Sequence, residues 1–311
     1  HMTLYNALIH EPQQIGPLQV WPIKFNNLSK VSYQVPPAIR DLRFQELDNG
    51  NSPQVGYIDI HNPTDNNFLI PEGWIVGADL LQTRMFNATT HVSANSWSLG
   101  NVSCVEKGRW EAGSNPIDAG RSPVSVSASG WHYNEQRGFW EIDAGNRQSR
   151  VWTRVQEQEQ RTGVRETHSL EQIMREDSAR STIPAFIQQE SARNLKHIAG
   201  QNAVLIALDG EPLVLEAFSR SSALRQTLKQ TLKAVSFDAS NLNSRPIDEV
   251  QVQRFIEAAH LDRLIHLSET DWAVLLAGGD EAVDTQASAD HFGSLIHAKT
   301  INRNHKILQG V

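Results

Sequence analysis

Residues Ala203–Phe218, AVLIALDGEPLVLEAF, place two apolar runs on either side of Asp209-Gly210. Runs rich in Val, Leu and Ile favour strands, and Asp-Gly between two such runs is a strong signal for a tight turn joining antiparallel strands. The stretch therefore predicts a β-hairpin, and it is the clearest local signal in the chain.

Helical periodicity appears around this hairpin. Val151, Trp152 and Val155 fall on one side of a predicted amphipathic helix within residues 143–160, and Gly163 is placed to end it. The other elements predicted for this half are helices opening at Thr167 or Ser169 and spanning 178–198, 221–235 and 247–259, with strands over 272–278 and 292–301. Together these segments predict an α+β half after residue 142.

Before residue 142, Pro, Gly and Asn separate short apolar and β-branched runs. Strands are predicted over residues 18–23, 55–60, 67–71 and 101–106. Asn62–Asn66 favours a turn, so the second and third of these strands predict a hairpin. A helical segment is expected near Leu42–Leu47, and Ser122–Tyr133 alternates Val and Ser like a half-exposed strand or a loop.

The resulting fold prediction is α+β. A β-rich domain over residues 1–142, resembling a sandwich or a barrel, precedes an α+β domain over residues 143–311 that has several helices and antiparallel hairpins. No linker-like tract separates the two. The sequence therefore leaves open whether they share one core.

Composition limits the functional classes. The 311 residues are 39% hydrophobic with a formal net charge of −7, which is typical of a globular protein and argues against non-specific nucleic-acid binding. No apolar run reaches the roughly 18 residues that span a bilayer, and one cysteine cannot form an intrachain disulfide. A cytoplasmic location without a membrane partner is the expectation.

Ile70–Trp110 concentrates the residues that could carry chemistry, including the single cysteine. Cys104 is a candidate nucleophile, because nearby cations such as Arg109 lower a thiol pKa. Its strand-like setting, NVSCVE, favours a buried and inert cysteine over a nucleophile.

Glu106, Arg109 and Trp110 end this stretch and could converge at one rim. A carboxylate there can act as a general base or bind a ribose hydroxyl, a guanidinium suits phosphate, and an indole suits a base or sugar. The alternative is an ion pair between Glu106 and Arg109 that closes a turn.

Gln82, Arg84 and Asn87 are polar residues within LLQTRMFN. At strand spacing Gln82 and Arg84 share a face, which would present side-chain donors to a ligand. A solvated sheet face explains the same pattern.

Metal and phosphate-loop motifs are weak or missing. His260 and His266 flank Asp262, but the histidines lack the paired helical spacing of zinc enzymes, and no phosphate-binding glycine motif or nucleophile elbow occurs. No metal site is predicted, and the sequence specifies no cofactor.

The segments GAD, QTRMFN and VSCVEKGRW resemble the bacterial ARG and Rhodanese-Phosphatase-superfamily-associated Protein domain family, and later segments extend the similarity over most of the chain. The residues that match its pattern are Gly77, Gln82, Arg84, Asn87, Cys104, Glu106, Arg109 and Trp110. The resemblance implies a role near ADP-ribose or NAD metabolism. It implies either a domain that binds or hydrolyses a nucleotide-derived ligand, or a non-enzymatic module that docks a partner enzyme.

Overall fold

A computed structural model of the chain describes residues 7–48, 53–77, 79–106, 116–141, 147–163, 169–180, 187, 189, 195–239 and 242–309. The predicted α+β class is confirmed. The chain divides into two compact units, and neither is continuous in sequence. Unit 1 comprises residues 1–31, 133–141 and 183–311, and unit 2 comprises residues 32–132 and 142–182.

The strands are short and numerous. In chain order they are β1 (Leu8–Ile9), β2 (Gln13–Ile15), β3 (Leu18–Lys24), β4 (Arg43–Asp48), β5 (Pro53–Asn62), β6 (Phe68–Ile70), β7 (Trp74–Val76), β8 (Arg84–Phe86), β9 (Thr90–Val92), β10 (Ser96–Cys104), β11 (Asp118–Arg121), β12 (His132–Asn134), β13 (Phe139–Glu141), β14 (Ala203–Leu208), β15 (Glu211–Phe218), β16 (Ile265–Glu269), β17 (Val274–Gly279), β18 (Val283–Ala289) and β19 (Leu295–Asn302). The α-helices are α1 (Val124–Ser127), α2 (Arg147–Thr162), α3 (Leu170–Arg180), α4 (Ser221–Asp238) and α5 (Glu249–Ala258). Short 3₁₀ helices occupy Ala38–Asp41, Ala128–Gly130 and Lys306–Leu308.

Unit 1 is built on an antiparallel sheet in the order β1-β3-β14-β15-β19-β18-β17-β16, with β2 added against β3. The hairpin predicted at residues 203–218 is confirmed, with Leu205 opposite Leu215. Asp209 and Gly210 both take positive φ, at 48° and 79°, which is the backbone that a primed two-residue turn requires.

One core cluster of unit 1 lies on one face of this sheet. Leu205 and Leu215 join Trp21 and Phe25 in an apolar cluster that also contains Phe255 from α5. Helix α5 begins at a capping box in which Asp248 accepts the backbone N–H of Gln251, while the Gln251 side chain accepts the backbone N–H of Asp248. The helix therefore starts at a fixed point above the sheet.

Unit 2 contains a sheet in the order β11-β7-β8-β10-β5-β4 and a separate pair, β6-β9. Its core gathers apolar side chains from both, including Phe44, Ile58, Ile60, Phe68 and Phe86. The hairpin predicted for residues 55–70 is wrong, because β5 pairs with β4 and β10 whereas β6 pairs with β9. The turn itself forms through Asn62 and Thr64, and it carries the chain from one sheet to another.

Two other local predictions are wrong. Leu42–Leu47 is not helical: strand β4 occupies most of it, with Phe44 buried between exposed Arg43 and Gln45, and the helical turn ends before it. In Ser122–Tyr133 the alternation of Val and Ser belongs to helix α1 followed by a 3₁₀ turn. All four residues of α1 are buried, so the period of two did not mark an exposed face.

The predicted helices around unit 2 are confirmed where they are described. Val151 and Val155 are buried along α2, and Gly163 follows its end at φ 71°. Ser169 accepts the backbone N–H of Gln172 at the start of α3, as an N-cap residue does. Most of the helix predicted over 178–198 lies outside the described residues.

The predicted helices over 221–235 and 247–259 correspond to α4 and α5. In the part of the chain that the structure describes, none of the helices combines the length and the apolar character needed to cross a membrane.

Candidate functional site

The strongest candidate site in unit 2 is a group of buried polar side chains at one end of β8 and β10. We call it the Arg84 cluster, and it contains Glu46, Gln82, Arg84, Cys104 and Glu106. Strand pairing assembles it, because Arg84 on β8 lies directly opposite Cys104 on β10. Glu46 arrives from β4, and Gln82 and Glu106 flank the two paired strands.

Arg84 is the centre of the cluster and its side chain is fully buried. Its Nη2 donates to both carboxylate oxygens of Glu46, at 2.9 Å and 3.2 Å, and its Nη1 donates to the backbone carbonyl of Gln82 at 2.7 Å. Charge-assisted hydrogen bonds of this kind are among the stronger ones in proteins. The positive charge of Arg84 is therefore neutralised within the interior.

The loop that carries Gln82 is held by both carboxylates of the cluster. The Leu81 backbone N–H donates to Glu46 at 2.8 Å. The Thr83 backbone N–H donates to Glu106 Oε2 at 3.2 Å, and the Thr83 hydroxyl lies 3.4 Å from the same oxygen. Residues 81–83 are thus positioned by side chains where regular backbone pairing is missing.

Two polar atoms of the cluster remain without a hydrogen-bond partner among the described residues. They are Gln82 Oε1 and Arg84 Nε, and both are buried. An unmade hydrogen bond on a buried polar atom costs about 1–3 kcal/mol. One acceptor and one donor, two residues apart in sequence, are therefore left unsatisfied in the interior.

Cys104 is held by its backbone. Gln148, at the start of α2, accepts the Cys104 N–H at 2.8 Å and donates to the Cys104 carbonyl at 2.7 Å, so its amide replaces a neighbouring strand. Burial raises the pKa of the Cys104 thiol from 9.0 to about 11. Arg84 opposes this shift, while Glu46 and Glu106 add to it. At neutral pH the side chain is therefore a thiol, which is a poor nucleophile.

Asn87 belongs to a different network. Its Nδ2 donates to Asn101 Oδ1 at 2.9 Å, and its Oδ1 accepts the Ser103 hydroxyl at 2.9 Å. Side chains of a strand alternate between faces, so Ser103 lies on the opposite side of β10 from Cys104. The structure thus brings Gln82, Arg84, Cys104 and Glu106 together and places Asn87 on the other face.

The family model of the ARG and Rhodanese-Phosphatase-superfamily-associated Protein domain, ARPP-1, matches residues 7–302. The chain belongs to this family. The match covers nearly its whole length, so both units are parts of the ARPP-1 domain. No curated protein and no solved structure is significantly similar to the chain.

Two predicted site residues of this ARPP-1 domain, Arg109 and Trp110, lie outside the described residues. Glu106 is the last described residue before them, and it is buried. No three His, Cys, Asp or Glu side chains form a metal-binding group within the ranges that the structure describes.

Sequence reasoning missed Glu46 and Gln148, which hold Arg84 and Cys104. Glu46 has a recognisable signal once β4 is known to be a strand, because it shares the inward phase of Phe44 instead of the outward phase of Gln45. Gln148 has no such sequence signal, because a glutamine near the start of an amphipathic helix is common.

A second buried guanidinium in the ARPP-1 domain was also missed. Arg121 donates from Nε and Nη2 to the backbone carbonyl of Glu72, at 3.2 Å and 2.9 Å, and lies 5.7 Å from the Trp74 ring centre. Arg121 lies on β11, so these bonds link β11 to the segment that precedes β7. Its backbone acceptor and its ring contact favour a structural role.

Proposed function

We propose that the Arg84 cluster binds the ribose part of an ADP-ribose-like or other nucleotide-derived ligand. The observation that carries the proposal is the pair of buried atoms without a hydrogen-bond partner in the described residues, Gln82 Oε1 and Arg84 Nε. A ribose hydroxyl donates as well as accepts, so adjacent hydroxyls can satisfy both atoms.

Charge decides which part of the ligand suits the cluster. Glu46 and Glu106 carry two negative charges and Arg84 carries one positive charge, so the formal sum is −1. A pyrophosphate at this position would meet net repulsion, whereas a neutral sugar would not. We therefore assign the ligand's phosphates to Arg109 and its base to Trp110, the roles that the sequence predicts for these two residues.

Family membership supports the ligand class. The family name records association with ARG and with the rhodanese and phosphatase superfamilies. If ARG denotes ADP-ribosylglycohydrolases, as the resemblance implies, the common chemistry is that of ADP-ribose.

Hydrolysis is the activity that this arrangement would support. Glu106 would accept a proton from water, whose oxygen attacks the anomeric carbon of the bound ribose. The glycosidic bond then breaks, and the leaving group departs with the bonding electrons; an oxygen leaving group takes up the proton that Glu106 accepted from the water. Cys104 is not needed in this scheme, because its thiol stays protonated at neutral pH.

The test is a calorimetric titration with ADP-ribose, NAD, ADP and ribose 5-phosphate. Wild type should bind ADP-ribose and, more weakly, ribose 5-phosphate. Gln82→Leu should weaken binding about 5- to 150-fold, the equivalent of losing one buried hydrogen bond of about 1–3 kcal/mol. Glu269→Gln is the control for a polar change, because Glu269 is exposed on β16 in unit 1.

Binding with product formation that Glu106→Gln abolishes would support the hydrolytic role, and binding without turnover would remove it. If wild type binds none of the four compounds, the ligand proposal fails.

The second candidate is a non-enzymatic interaction module that docks a partner enzyme. The ion pair of Arg84 with Glu46 favours this candidate. An interior ion pair whose charges neutralise each other can have a purely structural role, which here is to fix the turn at residues 81–83. In that case Gln82→Leu would leave partner binding unchanged.

A further inference from the structure

One face of the unit 2 sheet is open and exposes aromatic and apolar side chains. We call it the Trp97 face, and it is formed by β4, β5 and β10. Strand register arranges its side chains in two rows of three. The first row is Arg43, His61 and Trp97, and the second is Gln45, Asp59 and Leu99.

The exposure of this face is unusual for apolar side chains. Trp97 is 57% exposed and Leu99 is 54% exposed, although both belong to a regular strand. The opposite face of the same strands is buried and supplies Ile58 and Ile60 to the core. Contiguous apolar side chains on a surface commonly mark an interaction site.

The indole of Trp97 stacks on the ring of His61, with centroids 4.4 Å apart and planes inclined by 11°. One face of each ring is therefore covered by the other, and the two side chains form one aromatic block. Aromatic side chains supply a large contact area, which is why Trp is enriched where proteins associate.

This face carries one positive and one negative side chain, and the two are not engaged in ion pairs within the described residues. Arg43 and Asp59 lie on neighbouring strands, one row apart, and each would complement the other. Within the described residues neither side chain forms an ion pair or a side-chain hydrogen bond. A surface with one free positive and one free negative charge around an aromatic centre is complementary to itself.

We propose that the Trp97 face is the interface of a symmetric dimer of this chain. With strands about 4.8 Å apart and residues about 3.4 Å apart along a strand, Arg43 and Asp59 are roughly 8 Å apart. A two-fold axis between two such faces that sets Arg43 against the second copy's Asp59 also makes the reciprocal pair.

The same axis decides the position of Trp97. On a flat sheet with those spacings, the Cα atoms of Trp97 and its symmetry mate are about 3 Å apart measured parallel to the two sheets, so the two indoles face each other. Both ion pairs and an indole–indole contact at the centre therefore follow from a single operation. The strands of the two faces would cross steeply, closer to the orthogonal than to the aligned class of sheet packing.

Nucleic acid is disfavoured as the binding partner of this face. The chain has a formal net charge of −7, and the face itself has no excess of positive charge. The six side chains are also fewer than the 20–30 residues on each side of a standard stable interface. We therefore expect a weak dimer, with Kd on the order of 10–100 µM.

The experiment is sedimentation velocity on the full chain from about 1 µM to 300 µM. Wild type should shift from monomer to dimer over this range. Arg43→Glu and Asp59→Lys should each remain monomeric at concentrations where wild type dimerises, and the double variant should dimerise again. Phe292→Ser is the matched control, because Phe292 is 95% exposed in unit 1 and should leave the dimer unchanged.

Leu99→Ser and Trp97→Ser test the apolar contact of the proposed interface, and each should weaken the dimer. Far-UV circular dichroism verifies that each variant is folded. A wild type that stays monomeric up to 300 µM overturns the proposal. A dimer that tolerates all these substitutions also overturns it, since its interface must then lie elsewhere. Failure of the double variant to recover would refute the two-fold pairing of Arg43 with Asp59.

Discussion

The ion pair between Arg84 and Glu46 makes a quantitative prediction about unit 2. The Arg84 side chain is fully buried, whereas that of Glu46 is 14% exposed. Glu46→Leu leaves a buried guanidinium with one remaining acceptor, the Gln82 carbonyl. Arg84→Met leaves a carboxylate that still accepts the Leu81 N–H and reaches solvent. The first substitution should therefore be the more damaging.

Removing one partner of a buried ion pair costs about 3–5 kcal/mol, so we expect about 4–5 kcal/mol for Glu46→Leu and about 3 kcal/mol for Arg84→Met. The double variant removes both charges and leaves the Leu81 N–H and the Gln82 carbonyl without these partners, at a total cost of about 3 kcal/mol. The coupling energy of the double-mutant cycle should then be about 4 kcal/mol.

Hydrogen exchange of peptides from β8 and β10 is the suitable assay, because two compact units need not unfold in one transition. The matched control is the same cycle on Glu171 and Arg175, an i,i+4 pair on α3 with Arg175 mostly exposed, where about 0.5 kcal/mol or less is expected. A coupling below about 1 kcal/mol at the buried pair, or a larger cost for Arg84→Met than for Glu46→Leu, would refute this reasoning.

Three further predictions concern single residues. Because the folded pKa of Cys104 is raised from 9.0 to about 11, stability should fall as pH rises from 9 to 11, and urea midpoints of Cys104→Ala should lack that decline. Gln148→Ala leaves the Cys104 N–H and carbonyl unpaired, so amide exchange around β10 should report a loss of about 2–4 kcal/mol, with a smaller loss for Gln148→Glu. Gly210→Ala forces a Cβ onto a residue at φ 79° and should lower the free energy of unfolding of unit 1 by about 1 kcal/mol, seen as a lower melting temperature.

Local signals predicted the parts of the fold whose partners are close in sequence. The β14–β15 hairpin is one example, because its apolar runs and its Asp-Gly turn lie within sixteen residues of chain. The hairpin expected over residues 55–70 failed for the opposite reason. A turn sequence specifies that the chain bends, but it does not specify which strand the next segment joins.

Pairing across long stretches of chain could not be predicted. β14 pairs along its whole length with β3, and β5 pairs with β10 on one side and β4 on the other. Each strand is apolar enough to fit several partners, and the choice is made by packing of the whole sheet. Periodicity in one sequence carries no information about that choice.

For the candidate site, too, local spacing was predictable from the sequence and long-range pairing was not. The period of two placed Gln82 and Arg84 on one side of their segment, and both belong to the Arg84 cluster. The same rule, applied through β8, sends Asn87 to the opposite face. Glu46 lies in a segment that was expected to be helical, so its ion pair with Arg84 could not be predicted.

The commitment of Arg84 to Glu46 has a consequence for the proposed ligand. The Nη2 of Arg84 is bonded to both oxygens of a carboxylate and its Nη1 to a backbone carbonyl, so Nε is the nitrogen left to donate to a ligand and the group cannot act as a bidentate phosphate clamp. Any phosphate affinity must then come from a different cation, and Arg109, three residues after Glu106, is the residue predicted for that role. Binding of ADP-ribose should therefore weaken with salt in wild type, and Arg109→Ala should lose that salt dependence while Gln82→Leu retains it.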